Sequence, residues 1–147
     1  MTNEEREAKL KKKAETGVLC FSEKCPQREH CILSLLNQYA SKEHRVRTSV
    51  NLNNPLMQTA DCPLYLDSEP VHMAVGIAPI YDKMPGKMER KIKHHLIDVY
   101  TRKLYYDYHT GRRPMPPEVE RYVRQTARAA GWEEELLFDH YTDDFAW

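Results

Sequence analysis

Three of the chain's four cysteines, Cys20, Cys25 and Cys31, fall within the twelve residues "CFSEKCPQREHC", and the fourth is Cys62. Thiolate is the soft ligand that selects zinc and iron–sulfur clusters, and four thiolates satisfy either. Cys25 and Cys62 each precede a proline. Proline offers no amide to a helix or a strand ladder, so a Cys-Pro step tends to fix a turn that presents the sulfur. The spacing is Cys-x4-Cys-x5-Cys, then thirty residues, then Cys62. It lacks the two short knuckles of a structural zinc site. Cluster sites accept wider and less regular spacings, and Cys-Pro recurs in the bacterial ferredoxin run, which tilts the expectation towards a cluster. The expected cofactor is a 4Fe–4S cluster or zinc held by Cys20, Cys25, Cys31 and Cys62. The other reading is that these are inert thiols packed as small hydrophobes, Cys31 first among them because it opens the apolar "CILSLL".

Other chemistry is sparse. Cys25 and His30 would be a poor nucleophile–base pair on a helix, being five residues apart. His94 and Asp98, at i and i+4, read as a surface contact, and His72 as an exposed strand residue. There is no Gly-rich phosphate loop, nucleophile elbow or HExxH, so nothing nominates an enzyme.

The second informative stretch is "HHLIDVYTRKLYYDYHTGRRPMPPEVERYVRQ". If Leu104, Tyr105 and Tyr108 face inward, then Arg102, Lys103, Tyr106 and His109 face outward, with Arg112 and Arg113 beside them. Cations for phosphates and a tyrosine for stacking suit DNA or RNA. The alternative is a helical face whose cations simply solvate it. Lys plus Arg equals Asp plus Glu at 22 each, so only the distribution of charge informs. Residues 87–128 hold eleven Lys or Arg against five Asp or Glu, whereas 133–147 hold six acidic residues and no Lys or Arg. That acidic tail, "EEELLFDHYTDDFAW", also carries enough apolar side chains to require either docking on its own chain or a protein partner.

These residues need elements to hold them. A chain of 147 residues fits one domain. No run reaches the length of a membrane span. The charged opening "MTNEEREAKLKKKAETG" is no signal peptide, so a reducing cytoplasm is expected. Residues 1–16 read as a loosely held helical arm without an apolar stripe, preceding a single domain over 17–147. Its first half, 17–82, contains the cysteines and two expected strands. These are Val46, Thr48, Val50 and Leu52 in alternation, and Val71, Met73, Val75 and Ile77 likewise. Before these strands, "PQREHCILSLLNQYA", which includes Cys31, reads as a helix opened by Pro26. The second half, 83–147, reads as three helices with stripes at Met88, Ile92, Leu96, Val99 and Tyr100, at Leu104, Tyr105 and Tyr108, and at Val119, Tyr122, Val123, Thr126 and Ala130. Thr101 suits an N-cap between the first two, and Gly131 should end the third. The fold class is α+β, a small antiparallel sheet with a helical C-terminal half.

Two resemblances follow. "TGRRPMPPEVE" resembles the stretch after the recognition helix in phage-repressor-like helix-turn-helix regulators, which implies DNA binding and a regulatory role. The chain departs from that pattern at "DVYT", where a Gly-containing turn is usual, and lacks the usual small residue in the first helix. Nearly the whole chain after residue 17 resembles an uncharacterised family, a domain of unknown function, from gut anaerobic bacteria. The shared features are Cys20, Cys25-Pro26 and Cys31, "YDKMP", Tyr105-Tyr106 with "GRRPMPPE", and "FDHY" from Phe138. That resemblance implies a shared fold and a cytoplasmic home, and brings no activity. The function expected is a metal- or cluster-stabilised nucleic-acid-binding protein. The alternative is a protein-interaction adaptor with a structural four-cysteine site.

Overall fold

Thr2 opens the first helix through a capping box: its hydroxyl accepts from the Glu5 amide at 3.2 Å, and the Glu5 carboxylate accepts from the Thr2 amide at 2.7 Å. The computed structural model describes all residues, Met1–Trp147. They form α1 (Asn3–Thr16), α2 (Ile32–Leu35), β1 (Val71–Val75), α3 (Gly86–Tyr100), α4 (Arg102–His109), α5 (Pro117–Ala129) and β2 (His140–Asp144), with single 3-10 turns between them. The protein is a mixed α+β chain whose only sheet is the antiparallel pair β1–β2. No helix is long and apolar enough to cross a membrane. The chain divides into two compact units, Met1–Pro70 with Phe145–Trp147, and Val71–Asp144.

In the first unit α1 is anchored rather than loose. Leu10 and Ala14, one turn apart, are buried with Leu19, Ile32, Leu36 and Phe145. Two apolar positions at i and i+4 suffice to seat an otherwise charged helix. The single helix expected from Pro26 is broken into the turn Arg28–His30, the short α2, and the turn Leu36–Tyr39. The strand expected over residues 46–52 does not form. Only an isolated parallel bridge, Leu19 with Ser49, engages that stretch, and Val46 is 87% exposed. Alternation alone does not make a strand where no partner strand satisfies the backbone.

The second unit takes its sheet from a pairing that the alternation did not announce. β1 pairs with the polar "HYTDD" of the tail, from Val71↔Asp144 to Val75↔His140. Ala74 also accepts from the Met115 amide at 2.8 Å. Ile92 and Leu96 of α3, Tyr105 and Tyr108 of α4, and Val119 and Val123 of α5 meet Ile77, Ile80, Leu136 and Phe138 in one core. Thr101 separates α3 from α4 by a single residue with φ +69°, and its hydroxyl accepts from the Leu104 amide. That is one residue rather than the several-residue turn of a helix-turn-helix.

Candidate metal centre and basic helical face

Each of the four cysteines is held by a different local device. Cys20 follows Leu19, which exchanges backbone hydrogen bonds with Thr48 and Val50, and the Cys20 amide donates to the Leu33 carbonyl at 2.9 Å. The Cys20 carbonyl accepts from the Asn37 side-chain amide. Cys25 closes a turn on Ser22, whose hydroxyl accepts from the Cys25 amide at 3.1 Å and donates to Gln58 at 2.8 Å. Cys31 stands immediately before α2, with its carbonyl accepting from the Ser34 and Leu35 amides. It forms an antiparallel bridge with Asp67. Cys62 lies in the long segment 40–70, which has neither helix nor strand. There its carbonyl accepts from Tyr65, and its thiol contacts the Met57 sulfur at 3.7 Å. Two further ties bring this segment back to the cysteine head. Ser22 reaches Gln58, and the Gln27 amide donates to the Ala60 carbonyl at 2.7 Å.

The result is convergence. Cys20, Cys25, Cys31 and Cys62 line one cavity, walled also by Leu33, Val50, Leu64 and Arg28. The open space at its centre is about 20 Å³, room for a water-sized body. Cys31 is buried at 8% exposure, and the other three thiols are half-buried and free of disulfides. No three His, Cys, Asp or Glu side chains stand grouped so as to hold one metal ion. Burial pushes the Cys20 thiol up from its ordinary pKa, the Ser22 amide pulls it down, and the other three thiols add to the rise. A cation in the cavity would reverse that balance, because it favours the thiolate. His30 is exposed and does not line the cavity. Ser22, Gln58 and Met57 were not foreseen. A buried serine paired with a glutamine thirty-six residues away leaves no sequence signal.

On the second unit, Arg102 and Lys103 are exposed, as the period of α4 requires, and Arg112 and Arg113 are exposed just after the Gly111 turn. Tyr106 and His109 differ from the outward placement expected of them. Tyr106 is half-buried against the core, with Arg102 and Lys93 cations 5.9 and 5.5 Å from its ring centroid. Its ring is thus engaged by cations of the same face. His109 turns inward among Tyr81, Tyr105 and Tyr106, stacked on Tyr105 at 5.7 Å. Its Nδ1 is buried without a hydrogen-bond partner. Burial, then the Lys93 cation, holds its pKa below the usual imidazole range. It is the last residue of α4, where the helix gives way to the Gly111 turn. Lys93 was not foreseen, because it comes from α3. His95 meets Tyr122, across from α3 to α5, at 2.8 Å.

No curated protein and no solved structure matches the chain. A family model does match, over residues 2–147. The chain, with its α+β fold, four-thiol cavity and basic helical face, therefore belongs to that family, described as a family of unknown function (DUF6078).

Proposed function

We propose that the first unit binds a thiophilic metal group, zinc or an iron–sulfur cluster, through Cys20, Cys25, Cys31 and Cys62, and that the second unit binds nucleic acid. The observation that carries the first half is that all four cysteines line one cavity, although each comes from a different turn or segment. Packing alone gives no reason for every thiol of a chain to line one cavity. Metal loading would then be coupled to the folding of segment 40–70, which has no regular structure of its own. The test is elemental analysis of the full chain, and again after Cys25→Ser and Cys62→Ser. Absence of bound metal in wild-type protein purified without oxygen or chelator would end this half of the proposal.

For nucleic acid, the support is four exposed cations, Arg102, Lys103, Arg112 and Arg113, on and just after one helix. Tyr106, already engaged by two cations, and His109, turned inward, contribute less than the spacing suggested. Binding is then a matter of a few phosphates, each adding about one unit to the log–log salt slope. Labelled duplex and single-stranded DNA and RNA titrated at low and high salt test it. Equal binding after Arg102, Lys103, Arg112 and Arg113 are changed to Ala would remove this face. The adaptor alternative has less behind it, because Leu136, Phe138 and Phe145 of the tail are already buried in their own chain.

A further inference from the structure

We infer that the groove between α3 and α5 is a binding site for a small monocarboxylate with an apolar body, an aryl- or alkyl-carboxylate. Both helices belong to the second unit, and the groove shares no residue with the thiol cavity or with the cations of α4. Its volume is about 440 Å³, inside the range of about 300–1,000 Å³ that small-molecule sites span. The space exists because α5 turns small side chains towards α3. Thr126, Ala129 and Ala130, at i, i+3 and i+4, share one face, and larger residues there would fill the gap. Buried Ile92 of α3 closes the floor, and the methyl groups of the three small residues make an apolar wall. Tyr122 is fixed before any ligand arrives. Its ring meets Tyr100 edge-on at 5.8 Å and stacks on His95 at 6.0 Å.

The polar groups choose the ligand's charge. Lys91 is exposed, makes no ion pair, and carries the one permanent charge on the lining. No carboxylate lines the groove. Gln125 and Thr126 add an amide and a hydroxyl that can donate. The His95 Nε2 and the Tyr122 hydroxyl lie 2.8 Å apart. A neutral imidazole and a phenol bring two donor hydrogens, and their contact uses one. In either tautomer one hydrogen is left for an acceptor. An unpaired cation beside spare donors selects an anion. A dianionic phosphate fits less well than a monocarboxylate. No arginine fork lines the groove, and Ala129 and Ala130 stand at the C-terminal end of α5, where the helix dipole is negative. The carboxylate therefore belongs at Lys91, with the apolar body lying along Ile92, Ala129 and Ala130.

The experiment titrates phenylbutyrate, its uncharged amide, and inorganic phosphate separately into the isotope-labelled full chain while backbone amide resonances are followed. The expected result is saturable shifts clustered at residues 91–95 and 122–130. The acid should bind about tenfold more tightly than the amide, the effect of one charge-assisted hydrogen bond. Lys91→Gln should bring the acid down to the affinity of the amide, and Ala129→Phe should abolish both. Lys87→Gln, one turn earlier on α3 and off the lining, should leave binding unchanged. Equal binding of acid and amide, tighter binding of phosphate, or no saturable shift at millimolar acid would overturn the proposal. So would shifts at the groove that follow protein concentration without ligand, which would make it a contact between copies of the chain. The comparison of acid with amide on wild-type protein stands even where a variant fails to fold.

Discussion

The Arg124 guanidinium donates to the Tyr141 hydroxyl at 3.0 Å, joining the third long helix to the tail strand. Tyr141 in turn donates to the Glu120 carboxylate at 3.0 Å, and Glu120 accepts from Arg124 at 2.8 Å, closing a three-membered network. The same guanidinium lies 5.0 Å from the Phe138 ring centroid and donates to the Leu136 carbonyl at 3.4 Å. The tail is therefore held by a hydroxyl and a carbonyl as much as by charge. Arg124→Ala should destabilise the protein by about 1–3 kcal/mol, since several charge-assisted contacts go together at a partly exposed site. Glu120→Gln should do less, because the amide oxygen still accepts. Urea midpoints of the two variants check the order.

Gly76 has φ +77°, and a Cβ there would meet the Asp139 carboxylate at 1.9 Å. Gly76→Ala should therefore destabilise by about 2–3 kcal/mol, combining left-handed strain with a displaced side chain. Gly86, in the first turn of α3, has nothing within 4 Å of its would-be Cβ. Gly86→Ala should be neutral or stabilising by up to about 1 kcal/mol. Thermal unfolding of both substitutions tests one structure with opposite signs.

Acidification should weaken the second unit through His109. Its folded pKa is lowered by burial and by Lys93, so the unfolded chain takes up the proton first. The group opposes folding progressively as pH falls from about 6.5 towards the lower folded value, and has no such effect above that window. His109→Gln should flatten the dependence of the urea midpoint on pH within this range. An imidazole resonance of His109 titrating at or above that of an exposed histidine would contradict the placement.

Phe145→Ala should cost about 3–5 kcal/mol, the range for emptying a buried aromatic site. Phe145 is 2% exposed among Leu10, Ala14, Leu19, Ile32 and Leu36, and its ring lies 4.9 Å from that of Trp147. The measurement is calorimetry, with amide exchange to show that α1 loosens first.

The helices were legible because their stripes are strong. Ile92 with Leu96, Tyr105 with Tyr108, and Val119 with Val123 recur at helical spacing and are buried together. Thr101 was legible as a cap because threonine before a helical stripe has few other uses. The tail strand was not, since "HYTDD" has no apolar alternation and is a strand only because β1 lies beside it. The alternating 46–52 stretch misled for the converse reason, having no partner strand. For the candidate site, grouping and Cys-Pro steps pointed to the four thiols. The Ser22–Gln58 pair behind them depends on tertiary folding alone. His109 was legible after all: it stands at i+4 from the buried Tyr105, so helical spacing itself places it on the inward face.

Because the first unit is discontinuous, its assembly has an order in time. Phe145, which fills the core beside Leu10 and Leu19, is translated only after every residue of the second unit. All four cysteines leave the ribosome well before that plug exists. During synthesis the nascent chain thus passes through an interval in which its thiols are present and the core beneath them is still open. Docking of Phe145 is therefore a step that only the finished chain can take, and a chain truncated before it leaves Leu10 and Leu19 uncovered.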